Sequence, residues 1–141
     1  SDTFADEVRA SVADLPQAHL ALGYVPDDDI QVYLLAADSF VAPYKYIETC
    51  SAIYLALAFE LPIIIKAEGN VIEFQERPIG LFLEDSRQTG EAMRRMLEMP
   101  ESQRQTLRAG THEASAFYSW ETLKVRYRDA FDRFEAANPG G

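Results

Sequence analysis

Apolar residues recur at helical spacing near both ends of the chain and form short continuous runs through its middle. Phe4, Val8, Val12 and Leu15 sit about one helical turn apart with polar residues between them. This predicts an amphipathic helix ending near Pro16. Ala18 to Tyr24 (AHLALGY) predicts a strand. Pro26-Asp27-Asp28-Asp29 predicts a helix start, because carboxylates in a first turn complement the helix dipole. The alternative, a metal site, lacks the glycine and distant glutamate of a calcium loop. This helix is expected to run to about Ala37.

The stretch Phe40 to Lys66 (FVAPYKYIETCSAIYLALAFELPIIIK) reads as one strand–loop–helix–strand unit. A short apolar run ends at Ala42-Pro43, and a polar, aromatic loop covers Tyr44 to Thr49. An almost uncharged helical run follows from Cys50 to Phe59, broken at Leu61-Pro62. Ile63-Ile64-Ile65 is then a strand buried on both faces, as in parallel sheets. Ala67 to Asn70 is a loop, and Val71 to Glu76 is a short helix or an irregular segment. Pro78 to Leu83 holds a further strand. Beyond Asp85 the pattern is helical: about Arg87 to Glu98, Pro100 to about Phe117, and Trp120 to Ala136, the last capped by Ser119. Tyr127, Phe131 and Phe134 form an aromatic stripe on this last helix, expected to be a packing face.

Strands alternate with helices, so the predicted class is α/β with a mainly parallel sheet, flanking helices and extra C-terminal helices. The length of 141 residues suits one domain. The extra helices predict a cap, or packing against something outside this chain.

Net charge narrows the partners. At −10, with a pI near 4.6, the chain is unsuited to a nucleic-acid or anionic-membrane surface, though not to one phosphate group. The single cysteine excludes an intrachain disulfide, in keeping with a reducing compartment. No apolar run reaches the roughly 18 residues that span a bilayer, and a cytoplasmic location is expected. The Ser1-Asp2 start reads as a processed or truncated end, and Gly140-Gly141 as a frayed tail or cloning remnant.

Candidate chemistry gathers where the Tyr44 loop meets the helix start. In open α/β sheets ligands bind outside the carboxyl ends of strands, and a helix start offers backbone N–H groups to an anion. Thr49-Cys50-Ser51-Ala52 is a run of small residues there, read either as a phosphate cradle or as simple N-capping. Lys45 and Lys66 fall near the same edge, as phosphate counter-charges or solvated lysines. Gly69-Asn70 is a turn bordering the same crevice. Cys50 lacks the glycines of a nucleophile elbow and has no arginine in its loop. His19 and His112 have no triad-like neighbours, so a small residue at a crowded helix start is the favoured reading of Cys50.

The ordered landmarks resemble a known family. They are Gly23-Tyr24-Val25-Pro26, Ala36-Ala37-Asp38, Pro43-Tyr44-Lys45, Leu55-Ala56-Leu57-Ala58 and Leu61-Pro62-Ile63-Ile64. Gly69-Asn70-Val71-Ile72-Glu73, Ile79-Gly80-Leu81-Phe82 and Tyr118-Ser119-Trp120 follow. Their order and spacing, over about residues 18 to 135, resemble the C-terminal, donor-binding half of GT-B glycosyltransferases related to glycosyltransferase family 4. The resemblance implies a Rossmann-like lobe whose small-residue helix start holds the diphosphate of a nucleotide sugar.

Carried onto this chain, it implies a diphosphate site at Thr49, Cys50, Ser51, Ala52 and Lys45. It implies a sugar and nucleotide crevice at Tyr44, Glu48, Lys66, Gly69 and Asn70. The family's paired glutamates fall on Ile47, beside Glu48, and on Leu55, and its glycine before Leu-Pro is Glu60. No metal or other cofactor is implied. The whole of 1–141 is then a single nucleotide-sugar-binding domain without its first strand and without the N-terminal acceptor lobe. The expected partners are a nucleotide-diphosphate sugar and that lobe or a partner subunit, with peripheral membrane association through the lobe and no nucleic acid. The expected activity is retaining sugar transfer, which this chain would not perform alone. The alternatives are a degenerate, non-catalytic interaction module and, last, a flavodoxin-like or receiver-like domain.

Overall fold

The computed structural model describes residues 2–138; the readings of Ser1 and of Gly140-Gly141 lie outside them. The chain divides into two compact units, residues 1–31 and 32–141.

In the first unit, helix α1 covers Asp2–Val12. It stops before Pro16, at turns in which the N–H of Leu15 reaches Val12 O (3.0 Å) and that of Ala18 reaches Leu15 O (2.9 Å). The strand expected over Ala18–Tyr24 does not form, and Leu20, Leu22 and Tyr24 are exposed. A strand needs a neighbour to take its N–H and C=O groups. Among the described residues the sheet contains none that pairs with this segment. Gly23, at φ 111°, also turns the chain out of the extended region. Helix α2 (Asp27–Ala36) opens on its three aspartates as expected. The Tyr24 hydroxyl donates to Asp27 Oδ1 at 2.7 Å, and this bond raises the phenol's pKa.

The second unit is α/β. Its sheet has three parallel strands, β1 (Phe40–Ala42), β2 (Ile63–Lys66) and β3 (Gly80–Leu83), in that order. Phe40 stands opposite Ile63, and Ile63 opposite Gly80. Central β2 is paired on both edges and covered on both faces, and this explains its uninterrupted isoleucines: Ile63, Ile64 and Ile65 are all buried. Gly80 is required here, because a Cβ would overlap the backbone carbonyl of Ile63.

Helix α3 (Ala52–Ala58) crosses from β1 to β2. It begins two residues later than Cys50, and Ser51 before it has helical backbone angles and no side-chain cap bond. The Lys66–Gly80 connection carries a 3-10 segment, Gly69–Phe74. After β3, Asp85 and Gln88 form a capping box around a 3-10 turn, Ser86–Gln88, which leads into α4 (Thr89–Leu97). Helix α5 covers Glu101–Phe117 and α6 covers Trp120–Ala137. Ala92 and Met96 of α4 and Leu107 of α5 pack with Ile64 and Leu83 on one face of the sheet. Ile63 and Ile65 point to the other face, as alternation in a strand requires.

Ser119 caps α6, accepting the Thr122 N–H at 3.2 Å. No residue of α6 is buried. The aromatic stripe expected to pack is open instead: Tyr127 is 62% exposed, and Phe131 and Phe134 are each 67% exposed.

Candidate functional site

The loop from Pro43 to Ser51 leaves the carboxyl end of β1, and Ala67 to Asn70 leaves the carboxyl end of β2. The two strands are parallel neighbours, so their outgoing loops lie side by side. The first loop lines a shallow groove of about 350 Å³ through Tyr44, Tyr46, Ile47, Glu48, Thr49 and Cys50.

The second loop holds the first by its backbone. Glu68 Oε2 accepts the Ile47 N–H at 3.1 Å. Asn70 donates its N–H to Glu48 O at 3.2 Å, and its side-chain oxygen accepts the Cys50 N–H at 2.8 Å. Lys66 Nζ donates to Lys45 O at 3.1 Å. Gly69 makes the close approach possible. It sits at φ 58°, and a Cβ there would overlap the carbonyls of Ile47 and Glu48.

These contacts decide what each expected residue can do. Lys66 is half-buried and paired with Glu68 at 2.8 Å, so it braces the loop. The same hydrogen bond from Lys66 is the main reason the Glu68 carboxyl lies below its ordinary pKa. Lys45 is exposed, with no carboxylate in ion-pair reach among the described residues. Cys50 is buried and its N–H is occupied by Asn70. Thr49 and Ser51 are exposed and Ala52 half-buried. The N–H groups of Thr49, Ser51, Ala52 and Ile53 meet no protein acceptor among the described residues. Of the places where the family pattern has glutamates, Ile47 is buried and Leu55 is partly exposed on α3. Glu68 is the member sequence reading missed; its signal was the Lys66-x-Glu68 spacing just past a buried strand.

A second cavity, of about 380 Å³, lies at the amino ends of β1 and β2, lined by Ser39, Pro62, Met93, Met96 and Leu97 among others. At its rim Arg104 and Arg108 both approach Glu101, at 3.1 and 3.6 Å.

The fold of this chain is similar to that of a glycosyltransferase. The solved structure of sucrose-phosphate synthase from Thermosynechococcus elongatus superposes with a TM-score of 0.70 at 23% identity. The match covers 95% of this chain and 35% of that one, so this chain spans about a third of that protein's length. No family model and no curated protein matches the sequence. At this identity the likeness establishes a glycosyltransferase-like fold, the Rossmann-like half of a GT-B architecture. No helix among the described residues is long and apolar enough to cross a membrane.

Proposed function

We propose that this chain is the donor-binding lobe of a retaining glycosyltransferase, taking a nucleotide-diphosphate sugar at the Thr49–Ala52 turn. One observation carries the reading. In a glycosyltransferase-like fold, four consecutive-turn N–H groups without protein acceptors (Thr49, Ser51, Ala52, Ile53) stand at the carboxyl end of β1. Preorganised N–H donors aimed at a leaving diphosphate stabilise the charge that develops as the sugar departs. Lys45 is the cation available to add to them; Lys66 shapes the loop from behind. Tyr44 and Glu48 line the groove beside the turn. The acceptor and any catalytic base belong to another lobe or subunit, so the chain by itself binds donor without transferring sugar.

The test is a titration with uridine diphosphate followed by amide NMR. Shifts confined to Thr49–Ile53 and Lys45 are expected. No change in these signals at millimolar ligand overturns the reading.

A second reading has its own observation. Ile47 and Leu55 stand where paired glutamates would be, and α6 presents an open aromatic face. These favour a non-catalytic interaction module that holds a partner through α6. It requires association in a sizing measurement, with no nucleotide binding.

A further inference from the structure

We propose that α6 pairs antiparallel with α6 of a second copy of this chain, along a seam of Tyr127, Phe131 and Phe134. The proposal names an occupant for the open face of the second reading above; it rests on that face and not on the donor site.

Every residue from Lys124 to Asn138 is exposed, so this part of α6 is uncovered on all sides. A helix of that length is marginal in water by itself and owes its stability to packing of an apolar stripe. The stripe is present. Trp120, Lys124, Tyr127, Phe131, Phe134 and Asn138 follow one another at alternating steps of four and three, the a and d spacing of a coiled coil.

The flanks of the seam select the partner and its direction. Arg128 and Glu135 stand on one side; Ala130 and Ala137 stand on the other, small enough for close approach. Among the described residues, neither Arg128 nor Glu135 has an ion-pair partner. In a parallel pair opposite flanks meet, so each of these charges would face an alanine, and Lys124 would sit against its own copy. In an antiparallel pair like flanks meet. Setting Phe131 over Phe134 of the second copy then brings Arg128 against Glu135, and the two-fold axis makes the contact twice. Asn138 closes over Tyr127, and Lys124 stays outside the paired segment. The helix is thus complementary in charge to its own copy, reversed.

At their observed exposure the rings from both copies carry area on the order of 800 Å². A stable interface buries roughly 1,200 Å² or more, so the dimer is weak and forms as concentration rises.

The test is sedimentation equilibrium of the whole chain over a concentration series. It compares the wild type, Arg128→Glu, Glu135→Arg and an equimolar mixture of the two variants. The wild type is expected to pass from monomer to dimer. Each variant alone sets like charges together twice and should associate about tenfold more weakly at low salt, with the loss shrinking at high salt. The mixture restores opposite charges in both contacts and should recover the wild-type dimer. Both positions are exposed, so thermal unfolding should stay at the wild-type temperature and separate lost pairing from lost folding. A wild type that remains monomeric throughout overturns the proposal; the face then belongs to a different protein, and the donor reading is untouched. A dimer that neither variant weakens, or weakened variants that mixing does not rescue, overturns the antiparallel pairing.

Discussion

His112 Nδ1 lies 2.9 Å from Glu60 Oε1, and Glu60 is the one described residue other than glycine with a positive φ, 55°. The buried hydroxyl of Thr111, next along α5, donates to the Glu60 carbonyl at 2.9 Å and shares Arg108 O at the same distance. Two neighbouring residues of α5 thus hold both ends of a strained residue that closes α3. A left-handed conformation costs a residue with a Cβ roughly 1–2 kcal/mol. Both Glu60→Ala and Glu60→Gly lose the His112 partner, so their difference isolates the backbone term. Glu60→Gly should be the more stable by about 1 kcal/mol in urea unfolding. Equal midpoints would remove the strain argument. Thr111→Val, which keeps the shape and drops the hydroxyl, should cost about 1 kcal/mol by removing the hydrogen bond to the Glu60 carbonyl.

Gly110 lies inside α5, where glycine is ordinarily worse than alanine by about 1 kcal/mol. Here the sign is expected to reverse. A Cβ at Gly110 would overlap the Pro78 carbonyl, which precedes β3. Backbone cannot swing aside as a side chain does, so Gly110→Ala should destabilise by about 1–3 kcal/mol. Unfolding midpoints in urea decide it; a gain in stability would show that α5 can shift away from the sheet.

Asp85 caps the turn before α4, and Arg87 grips its carboxylate by a side-chain pair at 2.8 and 2.9 Å and by its backbone N–H at 2.8 Å. The side-chain bond is the larger cause, and together they lower the Asp85 pKa from 3.8 to about 2. The folded pKa lies below the unfolded one, so this contribution to stability is complete above about pH 4 and is lost as the pH falls toward 2. A carboxyl-carbon NMR titration of Asp85 should have its midpoint near 2. In Arg87→Ala that midpoint should rise toward the ordinary aspartate value. A midpoint that stays low without Arg87 would assign the shift to the backbone bonds alone.

Phe131 and Phe134 are exposed on α6, which buries none of its residues. Phe131→Ser and Phe134→Ser should each change unfolding free energy by no more than about 0.5 kcal/mol. If the interaction-module reading holds, the same changes should abolish association in sizing experiments. A large loss of stability in the isolated chain would mean that the face is packed within it.

The middle of the chain was readable because its local pattern and its burial agree. Three consecutive isoleucines have one comfortable place, a central parallel strand, and Leu61-Pro62 can only end a helix. The three aspartates after Pro26 and the Ser119 cap were equally legible, since capping is settled within a few residues. The expected strand at Ala18–Tyr24 failed because alternation describes a strand but does not supply its neighbour. The aromatic stripe misled in the same way: helical spacing gives a face, and only the rest of the molecule says whether anything covers it.

Sequence alone determined the α/β class, the place of the β1–α3 turn and the small residues that open it, because each follows from contacts a few residues apart. Tertiary structure decided which charged and polar groups at that turn remain available. Lys66 looked free until Glu68 met it, and the Cys50 N–H looked open until Asn70, 20 residues on, reached it. Hydrogen-bond partners join groups that are distant along the chain, and distance in space is settled only when the sheet brings two loops to the same edge.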